Sequence, residues 1–334
     1  MDPISYERAA DVNGALRSAQ EPGSMYIGGG TNLLDLMKGG VSRPMRLIDI
    51  TRIGGSLDTV ATLPDGGLRI GALVRNTDAA NHALVRERYP LLTQAFLAGA
   101  SPQLRNMATV GGNLMQRTRC QYFYDTAFAQ CNKRLPGSGC DALEGLNRTH
   151  AILGASPQCI AVNPSDMSVA LAALDAVVRV RGPSGERTVP IGEFHRLPGD
   201  RPDIDTTLQM GELILAVDLP PPLFSDHAHY LKVRDRASYA FALVSVAAAL
   251  QMDGNTVKDA RIALGGVAHK PWRSHAAEQV LNGHPLTAAN LRTAASAAVA
   301  DARAQRDNAF KIELAQRAIV RAVNQAAGRA GGVA

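Results

Sequence analysis

A chain of 334 residues exceeds the usual span of one compact core, and its 46% hydrophobic and 19% charged residues exclude a disordered or low-complexity polymer. The net charge of +5 is spread among acids and accompanied by only 4% aromatic residues, which argues against nucleic-acid binding and suits docking onto an acidic protein partner. The longest apolar stretch, "YAFALVSVAAAL" from Tyr239 to Leu250, is too short to span a bilayer, so no membrane insertion is expected.

The opening "MDPISYERAADVNGALRSAQ" has early acids and no apolar run, so neither a secretory signal nor a twin-arginine leader is expected. Export would depend on a partner's signal, giving a periplasmic location if co-exported and a cytoplasmic one otherwise.

In "SMYIGGGTNLLDLMKGGVSRPMRLIDITRI" a short strand ending at Ile27 meets Gly28, Gly29 and Gly30. Thr31 and Asn32 then open the amphipathic run that begins at Leu33, and "RLIDI" reads as a second strand. Such a loop can turn backbone N–H groups toward a phosphate, although a triple glycine alone is equally compatible with a tight turn that binds nothing.

From Leu57 the pattern becomes hairpins, "LDTVATLPDGGLRIGALV" and later "AVVRVRGPSGERTVPI". Between them lie the helical "NHALVRERYPLLTQAFLAGA" and a second glycine loop in "LRNMATVGGNLMQ", which offers Thr109, Gly112 and Asn113. Two such loops can hold a diphosphate from both sides. The triple proline ending at Pro222 marks a boundary, giving a first domain over 1–222, subdivided at 56/57, and a second over 223–334. The second contains the alternating "HYLKVRDR", the strand "KDARIALGGV" and two helices, one capped by Thr287 and one with Ile312, Ala315, Ile319 and Val323 on one face.

All four cysteines, Cys120, Cys131, Cys140 and Cys159, fall in a single stretch, and none shares the C-x-x-C spacing of a zinc knuckle. The eight histidines are scattered; His227 and His229 alternate on one strand without nearby ligands, and no Ser-His-Asp arrangement occurs.

Taken in order, "YIGGGTNLLDLMKGG", "LRNMATVGGNLMQ", "PSDMSVALAALDA" and "YLKVRDRASYAFALVSVAAAL" resemble the blocks of the FAD-binding subunit of the xanthine dehydrogenase or molybdenum hydroxylase family. The resemblance implies an α+β fold: a vanillyl-alcohol-oxidase/PCMH-type FAD-binding fold of two α+β subdomains, followed by a C-terminal α+β domain of the CO-dehydrogenase flavoprotein type. It implies FAD held by residues 27–33 and by Thr109, Gly112 and Asn113. It further implies Asp166 at the adenosine end, and Ile214 and Lys232 at the isoalloxazine ring. The alternatives are a helix-terminal acid for Asp166 and a surface lysine on an edge strand for Lys232.

In this family the "GGNL" block normally runs directly into "P-x-S-D", whereas here residues 115–163 intervene with every cysteine of the protein. The insertion is similar to that of the flavin subunit of bacterial periplasmic aldehyde oxidoreductase, which implies a [4Fe–4S] cluster on Cys120, Cys131, Cys140 and Cys159. Four thiolates match such a cluster; two disulfides and structural zinc stay open as alternatives. The resemblance implies one subunit of three, with a large partner carrying the molybdenum cofactor and a small partner carrying [2Fe–2S] clusters. Electrons would pass from the small partner to FAD and on to an external acceptor. The rivals are an aromatic-CoA reductase flavin subunit and a non-catalytic zinc- or disulfide-stapled assembly protein.

Overall fold

The computed structural model describes residues 3–329. The chain begins with β1 (Ser5–Arg8), α1 (Val12–Ser18), β2 (Ser24–Ile27), α2 (Leu33–Lys38) and β3 (Arg46–Asp49). These strands form a small parallel sheet in the order β1-β3-β2, because α1 and α2 serve as crossovers that return the chain in the same direction. Asp11 fixes the start of α1 by accepting from Gly14 N–H at 2.7 Å. Strand β1 carries no apolar alternation; its pairing with β3 defines it.

The next unit contains β4 (Val60–Thr62), β5 (Leu68–Gly71), α3 (Asn76–Asn81), α4 (Ala83–Arg88), α5 (Pro90–Ala98), α6 (Pro102–Arg105) and α7 (Val110–Leu114). The helical stretch before the second glycine loop divides into α4 and α5, because Tyr89 leaves the helical region at φ −133° and Pro90 opens a new first turn. The cysteine insertion holds only the one-turn α8 (Gln121–Tyr124). Beyond it come α9 (Asp166–Ala173), β6 (Val177–Gly182), β7 (Gly185–Pro190), α10 (Ile191–Phe194) and β8 (Leu213–Leu219). The five strands form an antiparallel sheet in the order β4-β5-β8-β6-β7. Every residue of α9 is buried, Asp166 and Ser168 included, so the helix has no solvent-facing side.

The last unit is a four-stranded sheet, ordered β12-β11-β10-β9, built from β9 (Ala228–Val233), β10 (Val244–Asp253), β11 (Thr256–Gly265) and β12 (Trp272–Arg273). It is followed by α11 (His275–Leu281), α12 (Ala288–Ala298) and α13 (Phe310–Ala326). Thr287 caps α12 through Asn290 N–H at 3.2 Å. One face of β10 (Val244, Val246, Ala248, Leu250) packs on these helices, burying Ala315, Ile319 and Val323 of α13. The opposite face (Ala247, Ala249) joins the core around α5 and α9. The alanine-rich run is therefore a strand buried on both sides, with small side chains on the face where α5 and α9 approach.

Helix α13 also buries Lys311 completely. Its ammonium donates to the carbonyls of Thr149, His150 and Gly266 at 3.3, 2.8 and 2.6 Å, tying the cysteine insertion to the C-terminal unit. Burial pushes that ammonium down to about 7.

Candidate functional site

A cavity of about 540 Å³ opens where the two glycine loops meet, within the size range of small-molecule and cofactor pockets. Ile27, Gly28, Gly29, Gly30, Thr31, Asn32 and Leu33 line it from the first loop, Thr109 and Gly112 from the second, and Ile214 of β8 from the sheet. The loops touch so closely that side chains are excluded. A Cβ on Gly29 would lie 1.9 Å from the Met107 carbonyl oxygen, and one on Gly28 would lie 3.1 Å from Thr109 Oγ1. Gly30 sits at φ +70°, in the left-handed region. The second loop is stitched to the segment that follows β5 by Val110 N–H to Val74 O and Gly111 N–H to Ala72 O, and Thr109 Oγ1 accepts from Gly112 N–H. A narrow backbone-walled cradle of this kind fits a dinucleotide diphosphate.

Two predicted amides have structural partners. Asn32 accepts from Arg117 N–H at 2.9 Å and donates to the Tyr124 hydroxyl at 2.8 Å, so the first loop is fastened to the cysteine insertion. Asn113 does not line the cavity; its Oδ1 accepts from Ser165 Oγ at 2.8 Å and from Gln116.

The resemblance sets Asp166 at the adenosine end and Lys232 at the flavin ring. Neither lines the cavity, and they bind each other: Lys232 Nζ donates to Asp166 Oδ2 at 2.8 Å, with side chains 4% and 8% exposed. Tyr230 donates to the other Asp166 oxygen at 2.7 Å, and Lys232 also reaches Ala98 O at 3.0 Å. Burial is the reason, because charges removed from water need a partner of opposite sign. Lys232 does stand on the edge strand β9, yet its side chain is not on the surface. Asp166→Ala is expected to lower unfolding free energy by about 3–5 kcal/mol by stranding the ammonium. Asp166→Leu with Lys232→Met, followed by urea unfolding, is expected to recover most of that loss.

The four cysteines are free thiols; Cys131 and Cys159 are buried, and Cys120 and Cys140 are partly so. Cys131 and Cys140 face each other across an isolated antiparallel bridge. The turn between them is closed by Ser138, which accepts from Cys131 N–H at 3.0 Å, with Gly137 and Gly139 at φ +85° and +98°. Burial pushes the Cys120 thiol up to about 12 and that of Cys159 to about 11, and both also feel the charge of neighbouring cysteines, Cys131 among them. Backbone N–H groups of Tyr122 and Phe123 face Cys120, and that of Ala161 faces Cys159. Among the described residues no three His, Cys, Asp or Glu side chains converge as a single-ion site. The thiols are thus neighbours in a largely dry pocket lined with N–H donors, a donor set whose chemistry fits a thiolate-bound cluster. The aromatic run beside Cys120 is structural, since Tyr122 and Phe123 are buried.

The sequence left unread a polar group on the far wall of the cavity. Asp205 lies between Arg117 (2.6 Å) and Lys133, and Lys133 Nζ also donates to Pro202 O at 2.6 Å. Burial works against the Asp205 carboxylate, but the two cations outweigh it and hold the group below its ordinary range. Lys133 also lowers the Cys159 thiol, so one buried cation serves both the cysteine pocket and the cavity. His195 and His269 complete this wall. Burial depresses them to about 4 and about 3, leaving both neutral. Distant residues of mixed type meet here, and no local pattern announces them.

The family described as the FAD binding domain in molybdopterin dehydrogenase matches residues 2–222, and the CO dehydrogenase flavoprotein C-terminal domain matches residues 229–326. The chain is 52% identical over 332 residues to the aldehyde oxidoreductase FAD-binding subunit PaoB of Escherichia coli, covering 99% of this chain and 100% of that one. It is 30% identical to the glyceraldehyde dehydrogenase medium chain of Sulfolobus acidocaldarius, over 85% of this chain and 82% of that one. Carbon monoxide dehydrogenase from Hydrogenophaga pseudoflava superposes with a TM-score of 0.76 at 25% identity, covering 98% of both chains. With its glycine-walled cavity and its two matched domains, the chain belongs to the family of FAD-binding medium subunits of molybdopterin-dependent oxidoreductases.

Proposed function

We propose that this chain is the electron-transfer subunit of a three-subunit molybdenum-dependent aldehyde oxidoreductase, carrying both FAD and a [4Fe–4S] cluster on Cys120, Cys131, Cys140 and Cys159. The observation that carries the reading is that one insertion supplies the cysteines and also part of the cavity wall. Arg117, Thr118 and Lys133 line the cavity, and Asn32 of the glycine loop is bonded to the same insertion. A large molybdenum-cofactor subunit and a small [2Fe–2S] subunit are the proposed partners, and an external oxidant is the final acceptor.

FAD supplies a two-electron carrier and the cluster a one-electron carrier. The chain's own residues supply the setting. The glycine loops bring backbone against the diphosphate, and Ile214 offers an apolar wall. Lys133 lies on the cavity wall and lowers the Cys159 thiol, so it would offset part of the charge of the thiolates. Asp166 and Lys232 act as a buried brace beneath the α9 end of the second loop, since Ser165 links them to Asn113.

Anaerobic purification with an absorption spectrum and iron, zinc and flavin analysis tests this reading. The expected content is about four irons and about one FAD per chain. Zinc in place of iron, or protein without flavin, would sink it. Cys131→Ser is expected to remove the broad iron–sulfur absorbance while most of the flavin is kept. Equal loss of both would show instead that the insertion is a folding staple for the flavin site.

A further inference from the structure

We propose that His150 is a positioning residue whose imidazole donates a hydrogen bond to the sulfur of Cys120 and thereby raises the reduction potential of the cluster held by the four cysteines. The inference rests on the cluster reading above and assigns a role within it to a residue outside the cysteine set.

His150 Nε2 lies 3.1 Å from Cys120 Sγ, and the residue is 3% exposed. The other ring nitrogen, Nδ1, is buried and has no hydrogen-bond partner. The sulfur is therefore the ring's polar contact among the described residues, and the pairing fixes how the imidazole is used. A hydrogen bond at this distance can run in either direction, depending on the tautomer. A sulfur that ligates iron carries no proton, so there the bond persists only with the imidazole proton on Nε2 and the lone pair on Nδ1. That tautomer leaves no buried N–H unsatisfied.

The ring is held where it is by backbone, not by its own polar contacts. The His150 carbonyl accepts from Lys311 Nζ at 2.8 Å and from Asn308 Nδ2 at 3.2 Å, and both donors are fully buried. Its N–H donates to Asn147 O at 3.1 Å, and its ring rests 6.3 Å from that of Tyr122. The C-terminal helix thus sets the distance between an imidazole and a sulfur on the insertion. Hydrogen bonds to cluster sulfurs stabilise the reduced, more negative state over the oxidised one, and outer partners of metal ligands commonly tune them this way.

The test is a redox titration of the anaerobically purified full chain, with dithionite as reductant, followed by low-temperature EPR. His150→Phe keeps bulk but removes the donor and is expected to shift the one-electron equilibrium about tenfold toward the oxidised state, a fall of about 59 mV. His150→Gln retains an N–H and is expected to restore most of the wild-type value. His150→Phe with a full iron complement and an unchanged potential overturns the proposal. A wild-type chain without iron removes the cluster reading itself, a distinct outcome. If the variants lose iron, the decision falls to wild-type protein labelled with ¹⁵N-histidine. Pulsed EPR of its reduced cluster is expected to show a weakly coupled, non-ligand nitrogen, and its absence overturns the proposal whatever the variants do.

Discussion

Gly29→Ala is expected to lower the FAD retained through purification at least tenfold, measured as flavin released per chain after acid precipitation. The added Cβ would stand 1.9 Å from the Met107 carbonyl oxygen, 2.6 Å from its carbon and 3.1 Å from Ala108 Cα. All three atoms are backbone, so no side-chain rotation relieves the clash and the two loops must separate. The effect is one of space and not of torsion, because Gly29 is absent from the positions with positive φ. Separation widens the cradle at the point where both loops must reach the same diphosphate, and a misplacement of about 1 Å is enough to break such contacts. Gly192→Ala is the matched control: nothing lies within 4 Å of its Cβ position, its φ is ordinary and it is exposed. It is expected to retain flavin in full. Wild-type flavin content in Gly29→Ala would show that the loops do not jointly hold the cofactor.

The parts of this site that were readable in the sequence are those whose partners are close along the chain. Gly28 to Gly30 and Thr109 to Gly112 announce themselves because a tight loop after a strand restricts residue type within a few positions. What could not be read is where two local features face each other. The contact between Gly29 and Met107 joins positions far apart in the chain, and so does the ion pair of Asp166 and Lys232. The residue types of that pair follow the family pattern, but their mutual distance follows from α9 packing against β9 through α5. Lys311 is the plainest case. A lysine on an amphipathic helix reads as solvated, yet three backbone carbonyls from two other segments surround it. His150, His195 and His269 carry no signal either, since their burial comes from the packing of segments distant in the chain.

That same burial makes the protein acid-labile in a window well above its carboxylates. His195 and His269 are depressed from an ordinary value of 6.5 to about 4 and about 3, in each case mainly by burial. A histidine whose folded value lies below its unfolded one resists charging in the fold, so its contribution is complete above pH 6.5 and is lost as pH falls toward the folded value. Each site is therefore expected to remove about 1.4 kcal/mol of stability per pH unit across the window, approaching twice that for the pair. Between pH 6.5 and pH 5 the combined loss from His195 and His269 is about 3 kcal/mol, a large share of a typical domain's stability. His150, depressed to about 4 by burial, and His229, also depressed, add to the loss in the same window and with the same sign, whereas the carboxylates and Lys311 titrate elsewhere. Asp49 is held at about 2 and Asp205 below its usual range, so both lose their contribution only in stronger acid, with the same sign. Lys311, depressed to about 7, changes between pH 10.5 and 7 and adds no slope below that. Urea unfolding at a series of pH values, with proton uptake measured alongside, is expected to show about three protons bound per unfolding event near pH 5, from His150, His195 and His269. His269→Leu is expected to remove one of them. A stability curve that stays flat from pH 6.5 to 4.5 would mean that the far wall of the cavity admits water and lets these imidazoles charge in place.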